Sequence, residues 1–245
     1  MTARRTLATA SRVLTQLRHD HRSMAIMLVL PCVIFGLVAW MFNSRPGSFV
    51  DTVGPMLIAL FPALIMFLVT SVATLRERTS GTLERLMSMP ITKADFLLGY
   101  ALAFAVAAAI QAVVLLAFAI WACGMQVAGS VWMLGVVAVL DAVLGSTMGL
   151  AASALARTEF QAVQMMPVFL VPQFLVCGFL MPRAEMPQLL EWFSRATPLA
   201  YAVEAMQRIQ IGAPTGDVAK DIGVICAFIV GSLAAGIATL RRRTP

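Results

Sequence analysis

Residues 76–100 read RERTSGTLERLMSMPITKADFLLGY and form the only long charged segment between two uncharged apolar runs. Pro90 cannot continue a helix and disfavours helical geometry at the residue before it. The segment Gly81–Met89 is therefore predicted to be a short helix. Its apolar residues fall at i, i+3 and i+4 and would form one face: Leu83, Leu86 and Met87. The pattern indicates a cytoplasmic elbow between two membrane helices.

A second helix is predicted to begin directly after this elbow. Thr92 and Asp95 have the spacing of a capping box, and Ile91 with Phe96 has the spacing of the accompanying hydrophobic staple. These signals place the start of a helix near Lys93. The apolar residues that follow would carry this helix straight into the bilayer.

The composition of the chain is that of a membrane protein. Hydrophobic residues make up 60% of the sequence, charged residues only 12%, and the mean hydropathy is +0.87. Soluble domains carry roughly 25% charged residues. The 245 residues have room for six spans of about 20 residues and short loops, but not for a sizeable soluble domain as well. The sequence thus predicts an all-α membrane protein with six transmembrane helices.

The remaining segments are predicted to lie at the two membrane surfaces. Residues 1–23 would form an interfacial amphipathic helix on the cytoplasmic side, and residues 24–245 the six-helix transmembrane domain. Gln188–Phe193 and Leu199–Ile211 are too short to span and would form two outer-leaflet helices before the last span. The six predicted spans are residues 24–42, 52–75, 96–121, 131–155, 160–181 and 222–240.

The positions of the basic residues predict the orientation. With both termini inside, thirteen of the 18 basic residues face the cytoplasm and five face outward. Basic residues accumulate on the cytoplasmic side of membrane proteins. Both termini are therefore expected to be cytoplasmic. The charges follow the ends of the apolar runs, which argues against a nucleic-acid-binding surface.

Three polar residues inside the predicted spans are candidates for lining a transport pathway. Asp141 lies about ten residues into the fourth span, Gln111 lies in the third, and Gln164 lies near the inner end of the fifth. A carboxylate near the bilayer centre costs about 2.5–3.5 kcal/mol on insertion scales and rarely faces lipid. Asp141 could bind a cation or relay protons, or could be neutral and hydrogen-bonded within the bundle. For Gln164 and its neighbour Gln161, one turn apart on the fifth span, interhelical hydrogen bonding is preferred.

Two stretches of this sequence resemble ABC-2 type transporter permeases. The elbow is similar to the family pattern E-R-x-x-G-T-L-E-x-L-x-x-x-P. Residues 178–211 resemble the outer segment of the family, with G-x-x-x-P, M-P-x-x-L-x-W-F and P-L-x-Y followed by a helix that carries Arg208. The elbow residues that carry the resemblance, and that it implies as the ATPase-coupling site, are Glu77, Arg78, Gly81, Thr82, Leu83, Glu84, Leu86 and Pro90.

The resemblance also implies partners and a location. In the family, the element between the second and third membrane helices docks on an ABC ATPase subunit, of which two copies are expected. A second permease copy, identical or paralogous, and membrane lipid would complete the assembly. ATP and Mg would be bound by the ATPase and not by this chain. The expected location is the bacterial cytoplasmic membrane.

The sequence predicts the chemical class of the cargo less specifically than it predicts the class of transporter. The sequence is similar to the drug-efflux branch typified by daunorubicin-resistance permeases. Spans rich in Phe and Met suit a lipophilic amphiphile. Export of a polysaccharide or glycolipid uses the same fold and stays an alternative. An ion-coupled secondary transporter that uses Asp141 as the proton carrier is the alternative from another class.

The motifs of several kinds of catalysis are missing from the sequence. No G-x-x-x-x-G-K-[ST] phosphate loop occurs, and both histidines are N-terminal, which excludes an H-E-x-x-H zinc site. The four cysteines lie in or beside separate apolar runs and form no C-x-x-C, so neither a disulfide framework nor a zinc site is indicated. The chain is therefore expected not to be an enzyme itself, but a subunit of a complex that hydrolyses ATP.

Overall fold

The computed structural model describes residues 3–42, 49–79 and 93–239, and within these ranges the chain is helical with no strand. The predicted all-α membrane fold is confirmed. A short 3₁₀ turn, Arg183–Glu185, lies between the sixth and seventh helices. The helices of the described ranges are α1 Ala3–His19, α2 His21–Met41, α3 Phe49–Thr79, α4 Lys93–Trp121, α5 Val131–Ser153, α6 Glu159–Val176, α7 Gln188–Arg195, α8 Pro198–Gln210 and α9 Thr215–Thr239.

Five of these helices, namely α2, α3, α4, α5 and α9, are long and apolar enough to cross a membrane. Helix α6 is not among them, because it carries three glutamines and two prolines and ends at Val176, five residues before the predicted end of that span. The fifth of the six predicted spans therefore stays a prediction. Helix α9 starts at Thr215, seven residues earlier than predicted, because the charged residues before the apolar run continue the helix.

The core of the bundle is formed by α3, α4 and α5. In the most apolar 18-residue windows of these helices, 56%, 50% and 61% of the residues are buried within the chain, against 17% in α2 and 11% in α9. Helices α2 and α9 therefore lie at the periphery, with apolar faces directed outward. Exposed apolar side chains on α2 and α4 line such faces and include Val29, Val33, Leu37, Val106 and Ile110.

Helices α3 and α5 are the most extensively packed pair, and glycine makes their close approach possible. A Cβ at Gly145 would lie 2.7 Å from the Cα of Ala63, and one at Gly149 would lie 3.0 Å from the Cα of Phe67. Both distances are shorter than real Cβ contacts allow, so the backbones meet at positions where only glycine fits. Since lipid is as apolar as a leucine side chain, helices in membranes associate largely through such close packing.

Helix α1 has its apolar side against the bundle. Ala10 and Val13 are buried, whereas Leu7, at the edge of the predicted apolar stripe, is 58% exposed. The helix crosses α4 at Gly99, where a Cβ would lie 2.6 Å from the Cβ of Thr9. Asp20 ends this segment and caps α2, because its side chain accepts a hydrogen bond from the backbone N–H of Ser23 at 3.2 Å.

All four tryptophans of the chain lie at one end of the bundle. Trp40 and Trp121 are at or near the ends of α2 and α4, Trp132 is at the start of α5, and Trp192 is in the short helix α7. Each of them is between 69% and 85% exposed. Tryptophan favours the membrane–water interface. This end of the bundle therefore has the character of a membrane–water interface.

The contact between α3 and α5 can be tested with alanine. We expect Gly145→Ala to lower the free energy of unfolding by about 1–3 kcal/mol, because the new methyl group forces two helix backbones apart. Thermal unfolding in detergent micelles would measure the loss. Gly231→Ala is the matched control, since a Cβ there meets no other atom within 4 Å among the described residues. Equal melting temperatures for the two variants would contradict this account of the packing.

Candidate functional site

The last turn of α3 contains three consecutive charged residues, each of which contacts a different helix. Arg76, Glu77 and Arg78 lie one to three residues before the end of α3 at Thr79. Helix α3 is continuous from Phe49 to this turn, so it runs the length of the bundle to the start of the elbow. We call these three residues and their contacts the inner cluster.

Arg76 connects α3 to α6. Its Nε and Nη2 atoms donate hydrogen bonds to the two carboxylate oxygens of Glu159 at 2.8 and 3.0 Å. This two-bond geometry fixes the relative orientation of the two side chains. The side chains are 59% and 51% exposed, and an ion pair with that exposure contributes at most about 1 kcal/mol to stability. The contact therefore sets the position of α6 more than it stabilises the fold.

Glu77 connects α3 to α1 and α4. Its Oε1 atom accepts a hydrogen bond from Nε2 of Gln16 at 3.3 Å and lies 3.7 Å from Nη2 of Arg12. The same Arg12 nitrogen donates to the hydroxyl of Tyr100 at 2.8 Å, and Tyr100 is only 1% exposed. Glu77 itself is 14% exposed. Because these groups are partly removed from water, their attraction is screened less than that of the Arg76–Glu159 pair.

Arg78 connects α3 to α5. Its Nη1 atom donates a hydrogen bond to the main-chain carbonyl of Ser153, the last residue of α5. Carbonyls at a helix C-terminus have no partner within the helix, and the helix dipole favours a positive charge there. Arg78 therefore caps α5 from the side of α3. The inner cluster thus joins α3 to α1, α4, α5 and α6.

Of the predicted coupling residues, Glu77 and Arg78 lie within the described structure, and both belong to the inner cluster. Gly81, Thr82, Leu83, Glu84, Leu86 and Pro90 lie outside the described residues. The sequence did not single out Arg12, Gln16 or Tyr100. Tyr100 stands in the Leu98-Gly99-Tyr100 end of the elbow motif, and Arg12 faces it across the helix crossing at Gly99. The position of Tyr100 in this segment could have indicated that it belongs to the site, whereas no feature of the sequence indicated this for Arg12.

The three pathway candidates lie in different surroundings. Asp141 and Gln111 are 0% and 1% exposed, and their side-chain oxygens and nitrogen have no hydrogen-bond partner among the described residues. Gln164 is exposed on α6. Gln173, also on α6, does form an interhelical bond, because its Oε1 accepts from the backbone N–H of Leu199 in α8 at 3.4 Å.

A second charged cluster holds the outer segment together. Arg183 of the 3₁₀ turn bonds Glu204 of α8 at 2.8 Å, and Arg208 of the same helix bonds Glu204 and Asp221 of α9, each at 2.6 Å. The guanidinium of Arg183 also lies 4.9 Å from the centre of the Tyr201 ring. The i, i+4 spacing of Glu204 and Arg208 was visible in the sequence, but the partners on the other two elements were not.

The described residues hold no group of three His, Cys, Asp or Glu side chains placed to bind a metal ion. The four cysteines are unpaired thiols. The chemistry of both charged clusters is that of ion pairs and hydrogen bonds between helices.

An all-helical bundle with five membrane-crossing helices defines a multi-pass membrane protein. The ABC-2 type transporter family matches residues 5–211 of the chain, which therefore belongs to that family. A similar protein is ABC transporter G family member 20 of Dictyostelium discoideum, 26% identical over 170 residues that are 69% of this chain and 23% of that protein.

A bacterial relative is the probable multidrug ABC transporter permease YbhR of Escherichia coli K12. It is 30% identical over 157 residues, which are 64% of this chain and 43% of that protein. The matched part thus spans less than half the length of either relative.

The inner cluster can be tested by charge exchange. Arg12→Glu removes the bonds to Glu77 and Tyr100 and should increase amide hydrogen exchange in α1 about tenfold, because a partly buried charged hydrogen bond contributes about 1–2 kcal/mol. Combining Arg12→Glu with Glu77→Arg should restore most of the protection. Hydrogen exchange read by mass spectrometry measures both results.

Arg4→Glu reverses an exposed charge on the same helix and serves as the control. It should leave the exchange of α1 unchanged. If the double variant exchanged as fast as Arg12→Glu alone, the Arg12–Glu77 contact would not be what holds α1 against the bundle.

Proposed function

We propose that this chain is the transmembrane permease subunit of an ATP-driven exporter. It moves a lipophilic or amphiphilic compound out of the cytoplasm or the inner leaflet, and a separate ABC ATPase subunit hydrolyses ATP. The proposal is supported by membership of the ABC-2 type transporter family and by the relative named as a probable multidrug permease.

The inner cluster is the observation that carries this proposal. Helix α3 runs as one unit from the outer surface to the elbow, and its last turn binds α1, α4, α5 and α6. An ATPase that docks on the elbow would displace the end of α3, and the inner cluster would convey that displacement to the other helices. ATP binding then shifts the permease between two arrangements, because a ligand of one subunit favours one state of the complex.

The proposed assembly contains two permease copies and two ATPase subunits in the bacterial cytoplasmic membrane, with both permease termini in the cytoplasm. The tryptophans at the other end of the bundle fit this orientation. A lipophilic cargo fits the apolar character of the helices. Polysaccharide or glycolipid export stays the alternative within the same family.

Asp141 favours one candidate from another class, an ion-coupled transporter. Its carboxyl group is fully buried and has no hydrogen-bond partner among the described residues. Such a group inside a membrane bundle is a candidate proton carrier. This mechanism requires transport that stops when the proton gradient is dissipated and that continues without an ATPase.

Purification from the native membrane tests the proposal. An affinity-tagged chain should copurify with an ATPase, and the purified material should hydrolyse MgATP. Glu84→Arg should abolish both, because it reverses a charge in the predicted docking helix. Glu185→Arg, an exposed charge reversal on the outer segment, is the matched control and should retain both.

Absence of any ATPase from wild-type preparations would contradict the proposal. Transport in vesicles would then test the ion-coupled mechanism. An uncoupler should stop transport, and Asp141→Asn should also stop transport while the protein remains folded. Uncoupler-resistant transport with a copurified ATPase would reject that candidate.

A further inference from the structure

A cleft of about 460 Å³ lies beside the inner cluster, between α1, the start of α2, the inner half of α3, and parts of α4 and α6. Its volume lies within the range of about 300–1,000 Å³ that is typical of small-molecule sites. The cleft is open on one side and has two chemically different walls. It shares four side chains with the inner cluster, those of Gln16, Arg76, Glu77 and Tyr100.

The polar wall lies at the cytoplasmic surface and carries more negative than positive charge. Asp20, Ser23, Arg76 and Glu77 line it. The only guanidinium on this wall, that of Arg76, is held by both carboxylate oxygens of Glu159. Glu77 is paired as well, because it accepts a hydrogen bond from Gln16 and lies 3.7 Å from Nη2 of Arg12. Asp20 is therefore the carboxylate of this wall that is held by neutral donors, the hydroxyl and the backbone N–H of Ser23.

Asp20 is ionised at neutral pH. Its side chain accepts hydrogen bonds from the hydroxyl of Ser23 at 2.6 Å and from the backbone N–H of the same residue at 3.2 Å. These bonds stabilise the charged form and hold the pKa of Asp20 below its usual value. Arg76 acts in the same direction from a greater distance. Asp20 therefore carries its full charge into the cleft.

The apolar wall is continuous with an exposed apolar surface of the bundle. Leu68, Val69 and Val72 of α3 form its base, and Ile26 of α2 and Val163 of α6 form its edges. Ile26 is 55% exposed and Val163 is 42% exposed, so the apolar surface extends from the cleft to the surrounding acyl chains. A hydrocarbon chain can thus enter from the inner leaflet without crossing a polar surface.

We propose that this cleft binds an amphiphile with a positively charged headgroup, taken up from the inner leaflet. The headgroup lies against Asp20, and the hydrocarbon lies against α3 between Ile26 and Val163. An anionic headgroup would meet the carboxylate of Asp20 and would have to displace Glu159 from Arg76. The role of this site in transport rests on the proposed function. The site would give the cargo a first binding position beside the helices that the ATPase moves.

Fluorescence quenching tests binding in the absence of any ATPase. Val163→Trp places a reporter at the edge of the cleft, at the end of the molecule opposite to the four native tryptophans. In nanodiscs of digalactosyldiacylglycerol, a lipid without a charged headgroup, the probe is an alkyltrimethylammonium with a brominated chain, compared with the alkyl sulfate of the same chain. Val230→Trp, on a lipid-facing position of α9, measures quenching that comes from partition into the bilayer alone.

The cationic probe should quench the Val163→Trp reporter with saturation, whereas the sulfate should quench it no more than it quenches Val230→Trp. Asp20→Asn removes the charge but keeps the helix cap, because Asn caps as well as Asp. It should weaken saturable quenching about fivefold. Asp217→Asn makes the same change in an exposed ion pair at the outer end and should have no effect.

A membrane lipid and a soluble lipophilic cation share this headgroup chemistry, and nanodisc composition separates the two sources. Phosphatidylethanolamine, which carries an ammonium group, should weaken binding of the probe if the natural occupant is a lipid, and should leave it unchanged if the occupant is a foreign cation. Equal saturation by the two probes, or an Asp20→Asn variant with unchanged affinity, would overturn the proposed site. Neither result depends on whether an ATPase copurifies.

Discussion

The structure depends on the last turn of α3, where three adjacent charged residues bind the ends of other helices. Arg76 binds α6, Glu77 binds α1, and Arg78 binds the C-terminus of α5. The exposed Arg76–Glu159 pair contributes little by itself. Together they fix the ends of several helices to one rigid element that leads directly into the elbow. A small displacement of that element is therefore shared by the whole inner half of the bundle.

Close packing against α5 allows α3 to pass a displacement of its last turn to the other helices. Water drives helices together in soluble proteins, but in a membrane the association depends on contact area and on polar bonds. Gly145 and Gly149 bring the backbones of α5 and α3 into contact along two successive turns. Arg78 then fixes the same pair of helices at the cytoplasmic end. The second charged cluster, around Glu204 and Arg208, has a corresponding role at the other end of the bundle, where it joins α8, α9 and the 3₁₀ turn.

Much of the fold could be predicted from the sequence, because hydropathy and charge act over whole segments. The spans of α2 to α5 begin and end within four residues of their predicted limits. The contacts between segments could not be predicted in the same way. Nothing in the sequence indicates that Arg12 meets Tyr100, 88 residues away, or that α1, α3 and α6 leave a cleft between them. Helix α6 differs from the predicted fifth span because its glutamines and prolines lower the hydropathy on which that prediction depends.

The most direct test of the central claim is a distance measurement between two inner helices. Nitroxide labels on Ser11→Cys in α1 and Phe160→Cys in α6, in a chain whose native cysteines are replaced by alanine, report how firmly these helices are held; both positions are exposed. The wild-type inner cluster should give one narrow distance distribution by pulsed electron paramagnetic resonance. Replacing Arg76, Glu77 and Arg78 by glutamine should broaden it. An equally narrow distribution in that triple variant would show that other contacts position these helices, and would contradict the account.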